Sequence, residues 1–407
     1  MAEGVLQAAK NLAPELTAHR RYLHSVPELG FDLTQTLAYV SGKLSEMGVE
    51  HKPCGKAGIV ACIGGKKPGK VFLLRADMDA LPMAEESGDE FAATNGRMHA
   101  CGHDMHTAIL LGAAKLLKER EDEIEGTVKL MFQPAEEIME GAADMLAGGV
   151  LENPKVNAGM MFHVMTGMPM PAGMMIVSAP GVSATASDFF TIKIKGKGCH
   201  GAAPNQGIDP LLAGAHILVT LQEIHARELA MNDQAILTVG TFHAGKAANA
   251  IADTAEITGT IRTLDENTRA QVNQRLEQIV AGVGMALRVE TEVLYNTRCP
   301  SLYNDKEVVD SVTAYSRELL GEQMVLSMEQ LLAQMGGDNS TKIAGSEDFA
   351  YISRQIPIVM VALAAGEPGK GYQYPQHHPK VRFDEDALPY GSAVYAHCAM
   401  RWLGEHK

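Results

Sequence analysis

At 407 residues, with 46% hydrophobic and 21% charged side chains, the chain has the composition of a folded globular protein, not of a disordered or fibrous one. It exceeds the size at which a single hydrophobic core keeps growing, so two domains are expected. A net charge of −14 excludes the basic footprint that nucleic-acid binding needs, leaving a small molecule or another subunit as the partner.

The segment from Met1 to Phe31 has no basic start followed by an apolar run and a small-residue cleavage site, so no secretory signal is read and the chain is expected to start near Met1. Residues 4–24 and 34–47 have helical spacing, while 58–63 and 70–76 read as strands. GGKKPGK, from Gly64 to Lys70, nearly matches a phosphate-binding loop but continues with Val71 where a Ser or Thr belongs; it reads as a hairpin turn between those strands. A helix is expected over 107–120 and a buried strand over 127–132, ending at Pro134. This alternation is α/β grammar. The most apolar stretch, from Gly159 to Val182, is broken by His163, Thr166, Pro169, Pro171 and Pro180, so no membrane span is read.

From Ser187 the pattern changes to strand 188–194, helix 209–229, strands 234–243 and 253–262, helix 266–286 and strand 287–295, a ferredoxin-like βαββαβ order. Helix 306–320 and strand 357–364 resume the α/β pattern. A catalytic α/β domain of residues 1–186 and 297–407, interrupted by an inserted domain of 187–296, is therefore expected. Six cysteines without a CxxC pair form no disulfide framework and fit a reducing cytoplasm.

MHACGHDMH packs His99, Cys101, His103, Asp104 and His106 into nine positions before the expected helix. Thiolate and imidazole suit zinc and similar divalent ions, and carboxylates extend the choice to manganese; a polar loop with an ordinary buried cysteine is the alternative. FQPAEE follows, where Glu136 and Glu137 diverge, so that one can hold metal while the other faces a water as general base. Capping or solvated charge is the commoner use of such a pair. His163 in GMMFHVMTG and His377 with His378 in the QYPQHHPKV loop complete the candidate ligands, because a catalytic site draws them from several strand ends. In RADMDALP, Asp77 and Asp79 follow an apolar strand, as a charged turn or as carboxylates that orient a ligand histidine. Met160, Met161, Met165, Met168, Met170, Met174 and Met175 are either core filler or the lining of an adaptable acyl pocket.

RADMDALP, MHACGHDMHTA, FQPAEE, FHV, GKGCHGAAPNQGIDP, GTIRTLD, GSEDFA and HHPKVRFDEDALPYG, in this order over nearly the whole chain, strongly resemble the aminoacylase and carboxypeptidase-like metallohydrolases, and within them the hippurate and auxin-conjugate (indole-acetyl-amino-acid) hydrolases. The resemblance implies two divalent ions (Mn2+, Zn2+ or Co2+) held by Cys101, His103, Glu137, His163 and His377, with Glu136 as base. Of the doubled histidine it selects the first. It implies that the insert is a lid and dimerisation domain, that His200 reaches the partner subunit's site, that Arg262 receives the substrate carboxylate, and that Asn249 lines the site. The expected reaction is hydrolysis of an N-acyl amino acid to a carboxylic acid and an amino acid, with dipeptidase or carboxypeptidase action on short peptides as the alternative.

A rival class arises from Gly196 to Gly201, which satisfies GxGxxG after a strand and would suggest a dinucleotide-binding oxidoreductase. Pro204 and the GIDP turn delay the next helix to about residue 209, away from any pyrophosphate. Neither HExxH nor GxSxG occurs, so zincin and serine-hydrolase chemistry lack support.

Overall fold

The computed structural model describes residues 2–335 and 345–407. They divide into two compact units. The first comprises the chain up to Ser183, the stretch that opens at Tyr303, and Asp348–Lys407; the second comprises Ala184–Leu302 with residues 345–347.

The first unit is built on an eight-stranded sheet, in the order His51–Cys54, Gly58–Gly64, Thr127–Gln133, Val71–Asp77, Ala158–Met165, Ile358–Ala364, Met175–Val177 and Val325–Ser327. Its four central strands run parallel, and Val71–Asp77 and Ile358–Ala364 are buried along their whole length, as parallel strands covered on both faces must be. One face, through Phe72, Leu74, Phe162, Val361 and Leu363, joins the core shared with helices His103–Lys118 and Ala387–Glu405. Burying each such side chain stabilises the fold by about 1.5–3 kcal/mol. Because strand side chains alternate, the opposite face carries Arg75, Met131 and Met161 in register and, two residues on, Asp77, Gln133 and His163. Parallel strands end together, so these polar groups gather at one carboxyl edge, where open α/β sheets place their ligands.

Three local expectations change, and one helix appears where none was expected. The expected helix over 4–24 is two helices, Ala2–Asn11 and Ala13–Ser25, because Pro14 lacks an N–H and is tolerated only in a first turn. The strands flanking GGKKPGK are not a hairpin: Thr127–Gln133 lies between them, antiparallel to one and parallel to the other. The helix expected from residue 107 starts at His103, inside the histidine motif. Ala387–Glu405 is a helix buried on nearly every side, which leaves no polar stripe to betray a 3.6-residue period.

The second unit has the expected βαββαβ insert. Its antiparallel sheet runs Ala235–Ala244, Thr254–Thr263, Ala186–Lys195, Glu290–Cys299. Helices Pro210–Thr220 and Glu266–Leu287 pack on one face through Ile192, Ile194, Ile217, Ile257 and Leu276. Each helix is started by an aspartate: Asp209 accepts from the N–H groups of Leu211 and Leu212, and Asp265 from those of Asn267 and Thr268. Residues 196–201 of the GxGxxG match lead into a two-residue ladder of Cys199–His200 with Ala250–Ile251, and the helix begins only at Pro210. Gly196 packs against Pro210, but proline has no N–H to offer a pyrophosphate, and the next N–H groups of the helix, of Leu211 and Leu212, are already taken by Asp209. No helix among the described residues is long and apolar enough to cross a membrane.

Candidate metal centre

The site lies in the first unit. Gly102, in the left-handed region at φ 89°, turns the chain between Cys101 and the helix that begins at His103; any side chain there would strike Val164 and the Phe383 ring. The turn sets Cys101 and His103 side by side. Cys101 Sγ lies 3.4 Å from His163 Nε2 and 3.3 Å from His377 Nε2. His377 Nε2 lies 3.7 Å from Glu137 Oε2, and His103 Nε2 lies 3.9 Å from Glu137 Oε1 and 3.8 Å from Glu136 Oε2. The structure therefore brings Cys101, His103, Glu136, Glu137, His163 and His377 into one cluster.

The doubled histidine is separated by the backbone. His377 adopts φ 64° and its N–H donates to the Ala100 carbonyl at 3.0 Å, which turns its ring to Cys101. His378 instead stacks on Tyr374 at 4.3 Å. In the histidine motif, His106 has both ring nitrogens engaged: Nδ1–H donates to Asp77 Oδ1 at 2.5 Å and Nε2 accepts from Val164 N–H at 2.8 Å. Asp104 faces Arg20 and His24, each 2.8 Å away. His99 is buried with neither ring nitrogen hydrogen-bonded among the described residues, and burial pushes its imidazole down to about 3.

The donor chemistry fits a divalent cation. His103 Nδ1 and His163 Nδ1 both meet backbone carbonyls at 2.8 Å, of Asp79 and Val164. A carbonyl only accepts, so each Nδ1 carries the proton and each Nε2 points its other site into the cluster. His103 Nε2 and Glu137 Oε1 are buried without a hydrogen-bond partner among the described residues. Two donors on one ion with bonds of about 2.0–2.3 Å stand roughly 3.3–3.8 Å apart, close to the separations found here. Charge agrees. Burial pushes the Glu137 carboxyl up to about 7, so its anion lacks compensation. Burial opposes charge on His103 as well, but Asp77 at 3.6 Å outweighs it and holds the imidazole well above its usual range. Where no ion is bound, a proton on Nε2 serves as the positive charge that the surrounding carboxylates demand.

Residues 73–401 match the profile of peptidase family M20/M25/M40. The chain belongs to that family. It is 37% identical over 398 residues to the IAA-amino acid hydrolase ILR1-like 4 of Arabidopsis thaliana, covering 95% of this chain and 86% of the relative. It is 35% identical over 398 residues to an N-acetyl-L-cysteine deacetylase of Bacillus subtilis, covering 97% of this chain and 90% of the relative. Among solved structures it superposes with a TM-score of 0.76 and 31% identity on the Bacillus subtilis YXEP protein, described as a dinuclear metal binding peptidase of family M20, over 98% of this chain and 100% of that one.

Arg75, Gln133 and Asp348 had no role from sequence alone, whereas Asp79 was already a candidate carboxylate. Asp79 caps the turn after Gln133, its two oxygens accepting from the N–H groups of Glu136 at 3.0 Å and Glu137 at 3.2 Å. That turn holds two non-glycine residues, Ala135 and Met139, at φ 56° and 59°, a conformation that costs about 1–3 kcal/mol each and needs such support. Arg75, Gln133 and Asp348 lie fully buried beneath it. Arg75 donates to Asp77 Oδ2 at 2.6 Å; burial opposes the Asp77 anion, but Arg75 holds its carboxyl well below the usual range. Of these three, only Arg75 left a signal in the sequence, as a charge within the apolar run VFLLRAD.

The remaining expected residues lie in the second unit. His200 is exposed and pairs with Ala250; Asn249 sits next in the chain and its carbonyl accepts from Gly201 N–H at 2.7 Å. Arg262 is half-buried, donates to the Ser346 hydroxyl at 2.5 Å and covers the Phe189 ring at 5.4 Å. The seven methionines divide. Met160, Met161 and Met175 are fully buried, while Met165, Met168, Met170 and Met174 form a separate small cluster with Ile176, Ala362 and Ala364.

Proposed function

We propose that this protein hydrolyses N-acyl amino acids, with two divalent ions (Mn2+, Zn2+ or Co2+) held by Cys101, His103, Glu137, His163 and His377 and oriented through Asp77. The observation that carries this reading is the convergence of these donors around a turn that also presents Glu136. The names of two relatives, one a hydrolase of amino-acid conjugates and one a deacetylase of an N-acetyl amino acid, support the substrate class. Bound there, divalent ions would supply Lewis acidity and acidify a water. Glu136 takes a proton from the water as its oxygen adds to the amide carbonyl, then passes the proton to the nitrogen as the C–N bond breaks. Water plus amide gives acid plus amine, so no further reactant is needed.

From the second unit we assign Arg262 to the substrate carboxylate. Among the described residues no protein carboxylate pairs with it, and its planar fork suits bidentate recognition. His200 is assigned to the developing oxyanion and Asn249 to the substrate. A panel of N-acyl amino acids and dipeptides, assayed with Mn2+, Zn2+ and Co2+, tests the reading: cleavage of an N-acyl amino acid that stops on chelation is expected. Turnover that survives complete metal removal overturns it, and cleavage of dipeptides alone moves the activity to the peptidase alternative.

We also propose a homodimer through the second unit. Ala235–Ala244 is an edge strand, and the helix Pro210–Thr220 packed beside it exposes Leu211, Leu212 and Val219 at 46%, 48% and 71%. An open edge next to an apolar helix face invites a second copy. Sedimentation should give twice the chain mass. If His200 serves the partner's site, His200→Ala and Glu136→Ala proteins, each nearly inactive, should recover activity when their subunits are exchanged. A monomer, or no recovery after verified exchange, removes this proposal.

A further inference from the structure

The turn carrying Glu136 and Glu137 runs from Pro134 to Gly141, and its two ends nearly touch: a side chain on Gly141 would collide with the Pro134 carbonyl. Asp348 grips both ends. Its Oδ1 accepts from Gln133 Nε2 at 2.6 Å, just before the turn, and its Oδ2 accepts from Ala142 N–H at 2.8 Å, just after it. Arg75 locks the arrangement, donating to Asp348 Oδ1 at 3.2 Å and to Gln133 Oε1 at 2.9 Å, so the Gln133 amide cannot flip without losing both partners. Asp348, Arg75 and Gln133 are all fully buried, where an unmatched donor or acceptor is costly.

We propose that Asp348 is a positioning residue for the general base, a bracket that closes the base of the turn as Asp79 closes its tip. This rests on the assignment of Glu136 as base. One Asp348 oxygen lies within 4.8 Å of a Glu136 oxygen, which also raises metal ligation as a use. Both Asp348 oxygens already accept N–H groups from Gln133, Ala142 and Arg75, and this favours positioning. The carboxylate is specifically required. In Asp348→Asn an amide NH2 must face one of these donors, so one end of the turn loses its acceptor while volume is kept.

A misplacement of about 1 Å at a reacting group costs on the order of 10²-fold in rate, so Asp348→Asn should lower kcat by about 10- to 100-fold, with KM within about twofold and metal content unchanged. Ala142→Pro removes the N–H at one end and sets the ring Cδ against the Asp348 oxygen that accepted it, in a first helical turn that tolerates proline, and should lower kcat in the same direction by a few-fold. The deciding measurement is a double-mutant cycle with Glu136→Gln. If Asp348 acts through Glu136, the double variant is no slower than Glu136→Gln alone. Multiplying effects, wild-type kcat in folded Asp348→Asn, or metal lost in step with kcat would each overturn the proposal. Should Asp348→Asn fail to fold, the cycle of Ala142→Pro with Glu136→Gln replaces it, and the same two outcomes, no further loss or multiplying effects, support or overturn the bracket. A Glu136→Gln protein that keeps its kcat would show that the base assignment itself has failed, before the cycle is closed.

Discussion

Glu136→Gln is expected to lower kcat by roughly 10²- to 10⁴-fold, the usual worth of a positioned general base, while leaving metal content near wild type. Glutamine keeps the size and hydrogen bonding of the side chain and removes only its capacity to hold a proton in transit. Glu137→Gln should behave in the opposite way. Its Oε1 is buried without a hydrogen-bond partner among the described residues and its Oε2 stands 3.7 Å from His377, positions that an ion would satisfy and a neutral amide would not. It should therefore lose or loosen metal, with activity partly restored by excess ion. The two residues are neighbours on one turn, capped by the same Asp79, so a general disturbance of the turn would affect both variants alike. Metal analysis beside kinetics separates the cases. Metal loss in Glu136→Gln with retention in Glu137→Gln would reverse the assignment.

Residues with a local chemical signature were legible in the sequence, and residues defined by packing were not. The βαββαβ insert could be read because its helices begin at Asp209 and Asp265 and its strands alternate on a sheet open on one face, so the two periods are sharp. The helix Ala387–Glu405 could not, since burial on almost every side erases its amphipathic period. Cys101 and His103 stood out through density of donors in nine residues. Whether His106 or Asp104 shared their task needed the third dimension, where Val164 and Arg20 respectively occupy them. His377 could not be told from His378 by composition; the left-handed backbone at His377 makes the choice. Asp348 is the extreme case. Its partners lie at 75, 133 and 142, and no short-range pattern links those positions.

Metal affinity is expected to fall by about tenfold or more for each pH unit lost between pH 8 and pH 6, because ligands must shed their protons to bind. The sign follows from the metal-free cluster. Burial raises the Glu137 carboxyl to about 7, so protons compete for it across this window instead of near its ordinary 4.5. His103, held up by Asp77 against the opposing effect of burial, carries a proton at neutral pH that an incoming ion must displace. Burial likewise pushes the Cys101 thiol up, and it surrenders a proton only to a cation. His163 contributes nothing to the slope: burial pushes it down to about 3, so it is already neutral. Calorimetric titration of metal-depleted protein in two buffers of different ionisation enthalpy counts the protons released. About two per chain are expected at pH 7, falling by one in Cys101→Ser, where the thiol proton is no longer available. An affinity independent of pH, or an unchanged proton count in Cys101→Ser, would mean that ions enter without this thiol and this pair of buried groups, and the ligand set proposed for the hydrolase would have to be redrawn.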